Sequence, residues 1–326
     1  MRYLTAVLMR LAIAAPLAAQ VAATDSVPPP GRLVDIAGRR LHLSCTGTGT
    51  PTVILLAGGG AYSIDWALVQ PPLAKTTRVC AYDRAGLAWS DPGPAQETVE
   101  ETIDDLHRTL RAAGERGPFV LVGASVAGIY IRAYQRAFPD DVAGLVFPNS
   151  SHRIGFVVRG KPDLIWKLSE DDLRSAFQQP AMAKGPRPTR EGEPFDRLPP
   201  ELQRVRLWLD VREWTRRDPG KSGPEAILSW RKEFLREFEE QERSTPEHRP
   251  LGNLPVVVVS SDSLEVAPDS SRSEMRGLTL LSSNSAHVTA LGSGHEIHLF
   301  QPDAVIRAVS RVVTAVRERV PLARVP

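Results

Sequence analysis

Short unbroken apolar runs recur along the chain, separated by turn-forming residues and by stretches with helical spacing. Thr52 to Ala57, Phe119 to Val122 and Val142 to Phe147 are such runs, and Arg78 to Tyr82, Leu254 to Ser260 and His287 to Leu291 are further short strand candidates. Continuous apolar stretches of this length predict strands covered on both faces, as in a parallel sheet. Upstream, Arg32 to Cys45 alternates apolar and polar positions around Gly38-Arg39-Arg40, which predicts a hairpin. Between the strands, Val99, Ile103, Leu106 and Leu110 share one helical face, with Gly114 as a stop. A second helix follows from Ile129, and a third runs from Pro302 to Val316. Strands alternating with helices predict an α/β fold with a doubly wound, mostly parallel sheet.

The pattern breaks between residues 150 and 252. This stretch is rich in Pro, Arg and Glu and holds Trp166, Trp208, Trp214 and Trp230, four of the six tryptophans. Leu202, Val205 and Trp208 fall on one helical face, and so do Ile227, Trp230, Phe234 and Phe238. A helical insertion is therefore expected over 150–252, with a looser Pro-rich piece from Pro180 to Pro200, and the sheet domain over 32–149 and 253–326. At the N-terminus, Arg2 and Arg10 precede a modest apolar stretch and Val21-Ala22-Ala23. That order predicts a secretory leader over 1–23, cleaved near Ala23, followed by a mobile linker over 24–31 that contains Pro28-Pro29-Pro30. The apolar stretch is short for a membrane span, so no stable span is expected.

Composition narrows the partners. The 326 residues carry a net charge of +2, and no basic run interleaved with aromatics stands out. Nucleic acid is thus an unexpected partner, and a small molecule is the default. Two cysteines, Cys45 and Cys80, are few enough to pair outside the cytosol, and equally few enough to be buried thiols.

Candidate chemistry centres on Gly123-Ala124-Ser125-Val126-Ala127-Gly128, between a strand and a helix. A strand that reverses sharply into a helix strains its turn residue, and its neighbours two positions away must be small; Gly123 and Ala127 are. Such a turn lifts the Ser125 hydroxyl above the sheet. Serine needs a base to become a nucleophile, and His295, in Gly292-Ser293-Gly294-His295 directly after the last strand, suits that task. Parallel strands end at one sheet edge, so Ser125 and His295 are expected to meet in one crevice. His298 is secondary.

VILLAGGG, YDRAGLAWSD, LVGASVAG and GSGHEIHLFQP together resemble the α/β-hydrolase fold superfamily, in particular exported serine hydrolases with a helical cap. The resemblance covers about Gly31 to Val316. It implies an ester-cleaving enzyme with Ser125 as nucleophile, His295 as base, and an oxyanion hole formed by the backbone N–H groups of Gly59 and Val126. It places the acid after the penultimate strand, where Asp262 is the first choice and Glu265 and Asp269 stand behind it. An acid there would orient the histidine, so Asp262→Asn is expected to cost orders of magnitude in turnover. The other possible position for the acid holds Asn149. In the family's strand order Cys45 and Cys80 lie on neighbouring strands, which implies a disulfide. No metal or organic cofactor is implied, and oligomeric state is open. Ala57, Ala88 and Ala127 depart from the family's usual residues. Two other readings are carried: the same triad in non-hydrolytic chemistry, such as perhydrolase or lyase activity, and a non-catalytic binding protein on a degenerate scaffold.

Overall fold

The computed structural model describes residues 27–94, 97–150, 169–172, 187–216, 224–262 and 277–324. The expected leader with its cleavage site near Ala23, and also Trp166, Glu265 and Asp269, lie outside them. Eight strands form one sheet: β1 (Arg32–Asp35), β2 (Arg40–Thr46), β3 (Val53–Leu56), β4 (Val79–Tyr82), β5 (Phe119–Gly123), β6 (Val142–Pro148), β7 (Val256–Ser261) and β8 (Ser285–Ala290). Their order is β1-β2-β4-β3-β5-β6-β7-β8. The pairs from β4 to β8 are parallel, and β2 runs antiparallel to both its neighbours.

The apolar runs are continuous because each strand feeds two cores. Ile54, Leu56, Phe119, Leu121, Val256 and Val258 face one layer, and Val53, Leu55, Val120, Val122, Val257 and Val259 face the other. Helices α1 (Gln70–Ala74), α2 (Val99–Ala112) and α3 (Ala127–Ala137) follow β3, β4 and β5. Helix α2 opens on a reciprocal cap: Glu101 N–H donates to the Thr98 hydroxyl at 3.2 Å, and Thr98 N–H donates to the Glu101 carboxylate at 2.8 Å. Its buried face contributes Val99, Ile103, Leu106 and Leu110, as the spacing predicts. Cys45 and Cys80 lie directly opposite one another on β2 and β4 and are joined by a disulfide.

Two helices between β6 and β7, α4 (Pro200–Arg216) and α5 (Pro224–Glu242), are bound to the rest of the structure differently. Helix α5 lies along α3. Arg132, 1% exposed, donates to the fully buried Glu237 at 3.1 Å and also pairs with Glu240, and Arg136 pairs with Glu233 and Glu237. Helix α4 instead borders the turn after β3: Arg206 Nε meets the Asp65 carboxylate at 2.9 Å, and Leu209 packs with Tyr62, Ile64 and Trp89. Val27 joins the same cluster and its carbonyl accepts from Trp89 Nε1 at 2.8 Å, while His42 Nε2 meets the Pro30 carbonyl. The expectation of a mobile linker therefore fails from Val27 to Pro30: two backbone carbonyls there are held by side chains of the core. No helix among the described residues is long and apolar enough to cross a membrane.

Two further helices, α6 (Ile297–Phe300) and α7 (Pro302–Glu318), follow β8. Helix α7 buries Val305, Val309, Val312 and Val313 against the second core. Gly144 of β6 lets it approach closely, since a Cβ there would lie 2.4 Å from Val312 Cγ1.

Candidate active site

Ser125 sits between β5 and α3 with φ +52°, the left-handed region that a serine occupies at a cost of about 1 kcal/mol or more. The turn is held by Ala127 N–H to the Ala124 carbonyl at 2.9 Å and Gly128 N–H to the Ser125 carbonyl at 3.0 Å. Gly123 is required because a Cβ would stand 2.5 Å from the Ala127 carbonyl oxygen. Gly128 is required because a Cβ would stand 2.6 Å from Ser150 Cβ.

The loop after β8 brings His295 to this turn. Its Nε2 lies 2.9 Å from Ser125 Oγ, across 170 positions of sequence. Ser125 is half-buried and His295 exposed, so the pair can be reached from solvent. The neighbouring Ile297 is fully buried and turns His298 inward against Trp66, with ring centroids 4.5 Å apart. Burial holds His298 down at about 3, so it is neutral and takes no part in charge at the crevice.

The glycine turn after β3 lies against the elbow. A Cβ on Gly58 would be 3.1 Å from Ser125 Cβ, and one on Gly59 would be 3.8 Å from Val126 Cγ1. Among the described residues neither the Gly59 nor the Val126 backbone N–H has an acceptor. Arg84 donates to the Gly58 carbonyl at 2.7 Å, and because that carbonyl shares a peptide plane with the Gly59 N–H, the contact aims the N–H the opposite way. Asp83 braces the same turn from beneath, accepting from Ser63 N–H at 2.6 Å and lying 2.6 Å from His42 Nδ1. Arg84 belongs to the quoted YDRAG stretch, but its spacing from Gly58 gave no hint of the contact.

Two residues at neighbouring strand ends reach the histidine loop. Asp262 stands at the end of β7, and its carboxylate oxygens accept from the backbone N–H groups of Gly292 at 2.7 Å and Ser293 at 3.1 Å. The carboxylate therefore holds the histidine loop. His295 Nδ1 lies instead 3.2 Å from Nδ2 of Asn149 at the end of β6. Asn149 is buried, with φ +44°, a conformation asparagine tolerates better than most residues. The contacts of Asp262 thus reach His295 through the Gly292-Ser293 backbone, while β6 brings Asn149 to the ring itself.

A charged cluster lies between α4 and the turn after β3. Arg206 is shared by Asp65, by Asp210 at 2.6 Å and by Glu191 at 3.2 Å. Burial pushes Asp65 up to about 6, with Arg206 pulling the other way, and pushes Glu191 up to about 7 for the same reason. The one grouping of potential metal-binding side chains among the described residues, Cys45, Cys80 and Glu115, has both sulfurs in the disulfide.

A strained serine between a parallel strand and a helix, faced by a histidine from the last strand's loop, defines a class of α/β proteins with a nucleophile elbow. Residues 51–302 match the family described as alpha/beta hydrolase fold, and the chain belongs to it. Among curated relatives, 2-hydroxymuconate semialdehyde hydrolase of Pseudomonas sp. (strain CF600) is 31% identical over 147 residues, covering 44% of this chain and 51% of that protein. The probable transporter efuK of Hormonema carpetanum is 35% identical over 127 residues, covering 36% of this chain but 18% of that protein. The matches thus span well under two thirds of these relatives' lengths. A solved thermophilic esterase from Thermogutta terrifontis shares the fold at a TM-score of 0.60 and 21% identity, covering 87% of this chain and 97% of that one.

Proposed function

We propose that the chain is a serine hydrolase that cleaves a small-molecule carboxylic ester by acyl transfer through Ser125. The observation that carries this reading is the 2.9 Å approach of His295 Nε2 to Ser125 Oγ at an elbow flanked by the N–H groups of Gly59 and Val126. In the first half-reaction Oγ attacks the ester carbonyl carbon and its proton passes to Nε2. The carbonyl oxygen, now an alkoxide, is held by Gly59 and Val126, and collapse expels the alcohol with the proton from His295. Water repeats the sequence on the acyl-enzyme and regenerates Ser125. Asp262 serves by holding the Gly292-Ser293 backbone, and with it the base.

Serine at the elbow supports attack on a carbonyl over the carboxylate chemistry of epoxide opening. A Pseudomonas relative is named for a hydrolase of a semialdehyde. Export of the protein belongs to the same reading and is supported by the Cys45–Cys80 disulfide. A second reading, a non-catalytic scaffold, is favoured by one observation, the neutral Asn149 at His295. Turnover of short p-nitrophenyl esters separates the two. Activity lost in Ser125→Ala and in His295→Ala is the expected result, and no turnover by well-folded wild-type protein would overturn the hydrolase.

A further inference from the structure

Four contacts determine how the Asn149 amide is oriented. Its Oδ1 accepts from the backbone N–H of Ser261 at 3.4 Å, and its Nδ2 faces the His295 carbonyl at 3.0 Å, the Ser261 hydroxyl at 3.2 Å and His295 Nδ1 at 3.2 Å. Two of these partners have a fixed polarity. A backbone N–H only donates and a backbone carbonyl only accepts. Rotating the amide by half a turn would set Nδ2 against the Ser261 N–H and Oδ1 against the His295 carbonyl, replacing two attractions by two repulsions. Asn149 is 1% exposed, so water does not relieve either clash. The nitrogen therefore faces the imidazole.

An amide nitrogen donates and does not accept. A proton on His295 Nδ1 would point at a nitrogen that cannot accept it, so the favoured place for the single proton of the neutral ring is Nε2, pointing at Ser125 Oγ. We infer that Asn149 is a positioning residue that holds His295 in its Nε2–H tautomer, so that the base facing Ser125 is already protonated in the resting site. This inference rests on the reading of His295 as the base for Ser125. Taking the serine proton requires Nε2 to lose its own proton to solvent and Nδ1 to gain one, which sets Nδ1–H against Nδ2–H and breaks the contact with Asn149. Turnover draws on that minor tautomer. The site is thus one in which nucleophile, base and glycine turn are assembled and the base is held in its unreactive form.

The test uses the full chain labelled with ¹⁵N-histidine, with the His295 signals assigned by their loss in His295→Gln. Long-range proton–nitrogen correlation spectra are recorded above the titration of the ring. The expected wild-type result is a protonated Nε2 and an unprotonated Nδ1. In Asn149→Asp the proton is expected to move to Nδ1, and kcat on a short p-nitrophenyl ester to rise by about a hundredfold, with little change in KM. A wild-type ring protonated at Nδ1 overturns the inference without needing any variant to fold. So does an Asn149→Asp protein, folded and with Nδ1 protonated, whose kcat does not rise above a measurable wild-type value. If the wild-type ring carries its proton on Nε2 and no protein turns over any ester, the tautomer inference stands and the hydrolase reading falls.

Discussion

The ends of β6 and β7 are neighbours in the sheet, and both reach the histidine loop, yet they bring opposite chemistry to it. At β6 a neutral, buried amide contacts the ring of His295; at β7 a carboxylate contacts the backbone two and three residues before it. The carboxylate at β7 thus acts on loop geometry through two backbone N–H groups, and the amide at β6 meets the ring directly. Position along the sheet edge and effect on the base are therefore separate properties. A residue close enough to complete a triad does not complete it unless its oxygen faces the ring nitrogen.

The largest effect that would sharpen this contrast is the gain expected of Asn149→Asp, since it puts a carboxylate where the ring is. Asp262→Asn should have a much smaller consequence. One backbone N–H keeps an acceptor and the other loses a charge-assisted bond, worth about 1.5 kcal/mol, so kcat should fall about tenfold with the His295 tautomer unchanged. A fall of several orders of magnitude, measured on the same ester, would show that Asp262 reaches the ring during the reaction and would break the contrast.

The smallest expected effect is that of pH on the buried carboxylates around Arg206. Asp65 ordinarily titrates at 3.8 and is held at about 6 in the fold, and Glu191 moves from 4.5 to about 7. Between those values the folded chain binds more protons than the unfolded one, so their contribution to stability is complete below about pH 4 and is lost as pH rises through about 7. Thermal melts should show a Tm that declines across this window, less steeply in Asp65→Asn. An equal slope in both proteins would remove the Asp65 site from the account.

Much of the scaffold was legible in the sequence, because buried strands and amphipathic helices write their periodicity directly. The elbow was legible too, through the smallness of Gly123 and Ala127, and so was the meeting of Ser125 with His295, through the rule that parallel strands end at one edge. The contact of Asn149 was not, since a neutral amide carries no sequence signal for the ring nitrogen it meets. The docking of α5 was equally hidden. Arg132 and Arg136 sit at helical spacing on α3, where charges usually face water, and only the fold reveals Glu233, Glu237 and Glu240 opposite them. Charge patterns state which side chains can pair, while the partner's position belongs to tertiary structure.

The central claim is that Ser125 is the nucleophile. Folded wild-type protein treated with a fluorophosphonate and mapped by peptide mass spectrometry should carry one adduct, on Ser125, absent from Ser125→Ala. An adduct on another residue, or none on folded protein after prolonged exposure, would contradict it.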